Sequence, residues 1–127
     1  MTLIRISSPE YDVDLALAYA TADNITGRPI YLHATCWLHT DAAAALARAI
    51  VLARELDLKF RIFDAYRPVE AQWKLWNHDP NPAFLADPRR GSPHSRGIAI
   101  DLTLVRRADG VALEMGTPFD DFSARAF

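Results

Sequence analysis

Cysteine is nearly absent from this chain: Cys36 is the only one in 127 residues. That excludes an internal disulfide and any zinc site built from several thiolates. Flanked by Thr35 and Trp37, Cys36 reads as a small core residue. No apolar run approaches the roughly 20 residues that cross a bilayer, so no membrane span is expected. The opening residues, Met1-Thr2-Leu3-Ile4-Arg5-Ile6, lack the long apolar core of a signal peptide, and a cytoplasmic location is the expectation. Excess charge is lacking too. A formal net charge of -2 argues against a general nucleic-acid binder. There is no internal repeat, low-complexity tract or interdomain linker. What remains is 50% hydrophobic and 24% charged, the balance of a globular protein, at a length that suits one domain, residues 1–127.

Local signals sketch the elements. Leu3 to Ile6 reads as a short edge strand, ended by Ser8-Pro9. From Asp12 to Ala20 the pattern permits a strand or a helix. Asp23-Asn24 and Gly27-Arg28-Pro29 are turn chemistry, and Ile30 to Cys36 reads as a short strand. Thr40 is a good N-cap with Asp41 behind it, and Ala42 through Leu56 is the strongest helix because of its alanine content. Leu46, Ile50 and Ala53, with Ala49 and Leu56 beside them, make its apolar stripe. A strand over Leu58 to Ala65 follows. Pro68 can open a helix over Val69 to Asn77, which carries Trp73 and Trp76. Asp109-Gly110 signals a hairpin turn into a short strand over Val111 to Leu113.

The stretch Gly91-Ser92-Pro93-His94-Ser95-Arg96-Gly97-Ile98-Ala99-Ile100-Asp101 carries the chemistry. Strand alternation after Gly97 places Ile98, Ile100, Leu102 and Leu104 on the expected core face. Asp101 then shares the other face with the small residues Ala99 and Thr103, which leaves space before its carboxylate. Gly97 allows a bend that brings His94 round to the same face. An imidazole and a carboxylate converging in a cleft are two ligands that zinc accepts, and they also make an ordinary hydrogen-bonded pair. His33 reads as a core histidine, His39 as an exposed residue before a cap, and His78 as a cation at a helix end. Arg67 stands just before a helix N-terminus, where the dipole disfavours a cation. Function can hold it there; so can a surface salt bridge to Asp64 or Glu70.

Ser92-x-His94-x-x-Gly97-x-Ala99-x-Asp101 resembles the zinc motif of the D-Ala-D-Ala peptidase and hedgehog-like superfamily. Tyr19-Ala20-Thr21-Ala22-Asp23-Asn24-Ile25-Thr26-Gly27-Arg28-Pro29 and Asp64-Ala65-Tyr66-Arg67-Pro68 are similar to blocks of the D-alanyl-D-alanine dipeptidases. Met115-Gly116-Thr117-Pro118-Phe119-Asp120 is similar to a fourth, and the four occur in the family's order. The resemblance implies an α+β domain, with helices packed on a mainly antiparallel sheet. It implies Zn2+ held by His94 and Asp101, with Arg67 stabilising the oxyanion. It also implies that Tyr19 and Asp120 receive the substrate's free amino group. Ser92 is a further substrate contact. For Asp120 the other reading is an acidic turn with Asp121. The implied reaction is hydrolysis of D-Ala-D-Ala to free D-alanine, with no nucleic-acid or membrane partner.

The family pattern closes with a Glu-x-x-His block that supplies the third zinc ligand and the general base. Neither residue has a counterpart here, and nothing like His follows Glu114. The expectation is therefore a catalytic domain missing its C-terminal part. A second chain completing the site and a truncated relative remain alternatives. A D,D- or L,D-carboxypeptidase of the same superfamily and a non-catalytic binding module are the other functional readings.

Overall fold

The computed structural model describes residues 2–116, 119 and 120. The chain opens with β1 (Leu3–Ile6), which later pairs antiparallel with β3 (Cys36–His39). Alternation within this pair turns Ile6, Cys36 and Leu38 inward, and each is essentially buried. A second sheet has β4 (Leu58–Asp64) at its centre. It pairs parallel with β2 (Val13–Leu15) and antiparallel with β5 (Asp101–Arg106). Two of the three strand pairings are antiparallel, which meets the expected α+β architecture.

The alanine-rich helix α1 (Thr40–Glu55) runs directly out of β3. Ala43, Leu46, Ile50 and Ala53 recur at helical spacing on its buried face. Ala43, Leu46 and Ile50 of that stripe pack with Ile6, Val13, Leu38 and Ile62 into the main core. Burying each of the larger aliphatic side chains contributes about 1.5–3 kcal/mol. The second helix, α2 (Val69–His78), buries Ala71, Gln72 and Leu75. A smaller core gathers Ala71 and Leu75 with Tyr19, Ile30 and Leu85. Among the described residues no helix is long and apolar enough to cross a membrane.

Several local expectations need correction. Residues 30–35 are not a strand; β3 begins only at Cys36. The Ile30 and Tyr31 amides both donate to the Tyr19 carbonyl, at 2.8 and 3.0 Å, so this backbone is spent on a loop contact. Leu32 is 96% exposed there, and His33 beside it is exposed rather than in the core. The Asp12 to Ala20 ambiguity resolves into both forms: β2, then a 3₁₀ turn at Ala18–Ala20. His39, not Thr40, caps α1, its Nδ1 accepting from the Asp41 amide at 3.2 Å. Pro68 occupies the cap position of α2 rather than its first helical position. Leu56 lies outside the apolar stripe and is exposed. Beyond Gly110, the expected second hairpin strand is only a single bridge, Val105 to Ala112.

The expected core face of the last strand is also reversed in burial. Ile98 is 50% and Leu102 37% exposed, whereas Thr103 and Val105 are buried. Register sets Leu102 and Leu104 opposite Ile62 and Phe60. However, α1 packs on β1, β3 and β4 and leaves β5 at its margin. Alternation predicts which residues share a face; the neighbouring layer decides which face is covered.

Candidate active site

His94 opens a 3₁₀ turn, His94–Arg96, that closes on Gly97 in the left-handed region at φ 73° and ψ 23°. Glycine is required there for two reasons. The backbone conformation suits it, and a Cβ would stand 2.9 Å from the His39 amide nitrogen. The same His39 N–H donates to the Gly97 carbonyl at 2.8 Å, fixing the turn to the start of α1. Arg67 N–H donates to the His94 carbonyl at 3.0 Å, which ties the turn to the segment between β4 and α2. Ser92 is buried, and its Oγ accepts from the His94 amide at 3.2 Å.

This bend brings His94 and Asp101 together, with Nε2 3.3 Å from Oδ1. On the far side of the ring, Nδ1 lies 2.8 Å from the Ala65 carbonyl. A carbonyl only accepts, so Nδ1 carries the hydrogen. In the neutral ring Nε2 therefore turns a lone pair toward a carboxylate oxygen. Two facing acceptors call for a cation, either a proton on Nε2 or a metal between them. Burial pulls the imidazole's pKa down, but the hydrogen bond and charge of Asp101 outweigh it and leave the pKa raised. Imidazole nitrogen with carboxylate oxygen is a donor set that zinc takes, and the carbonyl behind the ring is the support a metal-binding histidine commonly has. Asp101 and Thr103 line an open cleft of about 1420 Å³, which provides the space expected before the carboxylate.

Asp64 also converges on this region. One ligand atom from each of Asp64, His94 and Asp101 falls within 4.8 Å of the others. Yet Asp64 stands behind the ring, its Oδ2 3.8 Å from Nδ1, the nitrogen already given to Ala65. Its own oxygens are occupied. Oδ1 accepts from the Tyr31 hydroxyl at 2.5 Å, and Oδ2 accepts from Arg67 Nε at 2.9 Å, with Nη2 paired to it by charge at 2.8 Å. Burial pushes Asp64 upward in pKa against the opposing charge of Arg67. Arg67 is itself raised, because Asp64, with Tyr19, Tyr31 and Asp101 after it, outweighs burial. With donors on both oxygens, the ionised carboxylate is the form this geometry fits.

Arg67 is 3% exposed, so the surface salt bridge is ruled out as its setting; Asp64 is its partner, but a buried one. Arg67 Nη1 donates to Gln72 Oε1 at 2.6 Å, and Gln72 Nε2 donates to the Ala86 carbonyl at 2.7 Å. Nη2 also reaches Asp101 Oδ2 at 3.5 Å. The guanidinium carbon sits 5.2 Å from the centroid of the Tyr19 ring. This cation–π contact links the Arg67 cluster to the other predicted pair.

That pair is also brought together. Tyr19 OH donates to Asp120 Oδ1 at 2.6 Å, and Asp120 Oδ2 accepts from the Ile25 amide at 2.8 Å. Burial raises the pKa of Asp120, while its bonds from Tyr19 and Ile25 oppose the rise. The Tyr19 hydroxyl is raised far from ionisation by burial and then by Asp120. Phe119 meets Tyr19 edge-on at 5.6 Å and stacks on Phe63 at 4.9 Å, walling this end. Thr117 and Pro118 of the fourth block, and Asp121, lie outside the described residues.

Sequence reasoning missed Tyr31 and Gln72 and gave Asp64 only a surface role. Tyr31 was hidden inside a stretch read as a strand. Gln72 carried one usable signal, a polar residue between Ala71 and Leu75 on the inward face of a helix.

Comparison with known proteins agrees with the motifs. The Peptidase_M15 profile, described as D-ala-D-ala dipeptidase, matches residues 3–127. The D-alanyl-D-alanine dipeptidase of Escherichia coli (strain K12) is 50% identical over 115 residues, covering 91% of this chain and 59% of that protein. The enzyme of that name from Enterococcus faecium is 32% identical, covering 85% of this chain and 63% of its own length. For Streptomyces coelicolor the identity is 36%, with 80% and 60% covered. The chain thus spans about three-fifths of these relatives. A family match over nearly the whole chain, with all four motif blocks in order, establishes that the chain belongs to the D-ala-D-ala dipeptidase family, Peptidase_M15.

Proposed function

We propose that the protein containing this chain is a zinc-dependent dipeptidase that hydrolyses free D-Ala-D-Ala to D-alanine. The observation that carries the reading is the union of two pairs in one site. His94–Asp101 and Tyr19–Asp120 are bridged by Arg67, which reaches Asp101 on one side and lies over the Tyr19 ring on the other. In this reading His94 Nε2 and Asp101 hold zinc, which supplies a Lewis acid and an acidified water. Asp120 receives the substrate ammonium through its remaining lone pairs, with Tyr19 OH fixing the carboxylate. That arrangement favours a free amine over an acylated one, because an amide has no charge to set against a partly buried carboxylate. Arg67 offers its Nη2 edge, already turned toward Asp101, to the negative charge that grows on the carbonyl oxygen. Ser92 fits a support for the His94 turn better than a direct substrate contact.

A catalytic zinc site uses three protein ligands, one more than His94 and Asp101 provide. The proposal assigns that ligand and the proton-accepting base to protein outside this stretch, either a further segment or a second chain. It also places the reaction in the cytoplasm, where the buried thiol of Cys36 stays reduced. The test compares hydrolysis of D-Ala-D-Ala and N-acetyl-D-Ala-D-Ala by the full-length protein, with and without a chelator. Chelator-sensitive cleavage of the free dipeptide, with little of the acylated one, is expected. Preference for the acylated substrate would overturn the reading in favour of a carboxypeptidase. Binding without cleavage would favour a non-catalytic module.

A further inference from the structure

We infer that Asp64, locked from behind by Tyr31, is a positioning residue for Arg67 and not a ligand of the metal. The inference rests on the reading of Arg67 as the group that meets the reacting carbonyl. It starts from a conflict within the site. Asp64 converges with His94 and Asp101 as a third ligand would, and it is the most buried of the three. Its bonding says otherwise. Each oxygen is already held by a donor, Oδ1 by Tyr31 and Oδ2 by Arg67. It also faces Nδ1 of His94, whereas Asp101 faces Nε2. One nitrogen of a neutral imidazole binds a metal, and Nδ1 is spent on the Ala65 carbonyl. Asp64 therefore stands on the wrong side of the ring.

What Asp64 does is constrain direction. Arg67 has five N–H groups in a rigid plane. Asp64 takes Nε–H and holds Nη2 in an ion-pair contact at 2.8 Å, and Gln72 takes one hydrogen of Nη1. Those two hydrogen bonds and the ion pair fix the plane and its rotation. The Nη2 hydrogen bond runs instead to Asp101, at a loose 3.5 Å. A hydrogen bond that long is weak, so this edge remains available to a developing oxyanion. Asp64 in turn cannot rotate, because Tyr31 OH pins its other oxygen and Tyr31 packs edge-on against Tyr19 at 6.0 Å. A buried pair of this kind adds little net stability. Its value is a guanidinium that needs no reorganisation when charge develops.

The experiment uses full-length, zinc-loaded protein carrying Asp64→Asn or Tyr31→Phe. Three quantities are read: zinc per chain, the split of kcat from KM, and the ¹⁵N NMR signal of the Arg67 Nε–H with its solvent exchange. For Asp64→Asn, kcat falls about 100-fold, as expected for a misplaced catalytic group. KM and zinc content hold, and the protected Nε–H signal moves and exchanges faster. Tyr31→Phe keeps the charge pair, so the protein folds if Asp64→Asn does not; its kcat falls several-fold, with the same spectral direction. Loss of zinc from Asp64→Asn would overturn the inference and make Asp64 a ligand. An unmoved Arg67 signal in either variant, or unchanged kcat, would overturn it as well. Should the unsubstituted protein fail to cleave D-Ala-D-Ala, the functional reading falls, while the Arg67 signal still judges the positioning claim.

Discussion

Two aspartate–arginine clusters in this chain use the same chemistry to different ends. At the surface, Asp12 gathers Arg54 and Arg107 at 2.9 Å each and Lys59 at 3.8 Å. In the interior, Arg67 gathers Asp64, Gln72 and, at longer range, Asp101. The hub is an anion in one cluster and a cation in the other. Their carboxylates move in opposite directions: the hydrogen bond from Arg54 leads in drawing Asp12 down, while burial leads in pushing Asp64 up. Around Asp12, the partners are several and partly exposed, so each contact is screened and replaceable. Around Arg67, the two partners that fix its plane, Asp64 and Gln72, are buried, so removing one end of the Arg67–Asp64 pair leaves a charge poorly met in the interior. The surface cluster ties β2, β4, α1 and the turn after β5 together; the interior cluster aims one side chain.

This contrast can be broken by substitution. The largest effect is expected for Arg67→Ala, which leaves Asp64 buried and unpaired and costs about 3–5 kcal/mol in folding. Denaturant unfolding of the full-length protein measures it. A loss of only about 1 kcal/mol would mean the interior pair behaves like a surface one. Asp101→Ala removes the partly exposed rim of the same cluster. Zinc per chain should fall sharply by metal analysis, while the metal-free protein loses less stability than Arg67→Ala does. Unchanged zinc would show that the ligand has been misassigned.

Asp12→Asn is expected to cost about 1 kcal/mol, and less in high salt. Its pH dependence sharpens the comparison further. The folded-state pKa of Asp12 is lowered, so its contribution is fully present above the unfolded value of about 3.9 and is lost as pH falls through the folded value. The stability gap between the unsubstituted protein and Asp12→Asn should therefore close only in acid below about pH 4. A gap that persisted there, or closed near neutrality, would assign the stabilisation to something other than this charge.

Much of the framework could be read from local pattern. Alanine content announced α1, Asp109-Gly110 announced the turn after β5, and Gly97 announced the bend before Asp101. The motif residues His94 and Asp101, and the pair Tyr19 and Asp120, do meet in space. Less could be read where neighbours decide. The loop over residues 30–35 has β-branched and aromatic character, yet it bonds to the Tyr19 carbonyl instead of to a strand. Thr40 has the better cap chemistry, but the His39 ring is placed to accept first. Burial along β5 depended on the reach of α1, a property of another element.

The sequence by itself determined the family, through four motif blocks in order, and the residue types able to bind a metal, an amine and an oxyanion. Helical and strand periods follow from backbone geometry and side-chain chemistry within a few neighbouring positions, and these are present in the chain before it folds. Only the tertiary structure decided that Asp64 turns to Arg67 rather than to a metal, that Tyr31 holds it, and that Gln72 closes the clamp from α2. Those contacts join β4, the loop before β3 and a separate helix. Their physical meaning lies in which donor faces which oxygen at 2.5–2.9 Å, and residues far apart in the chain acquire that relation only once the layers have packed.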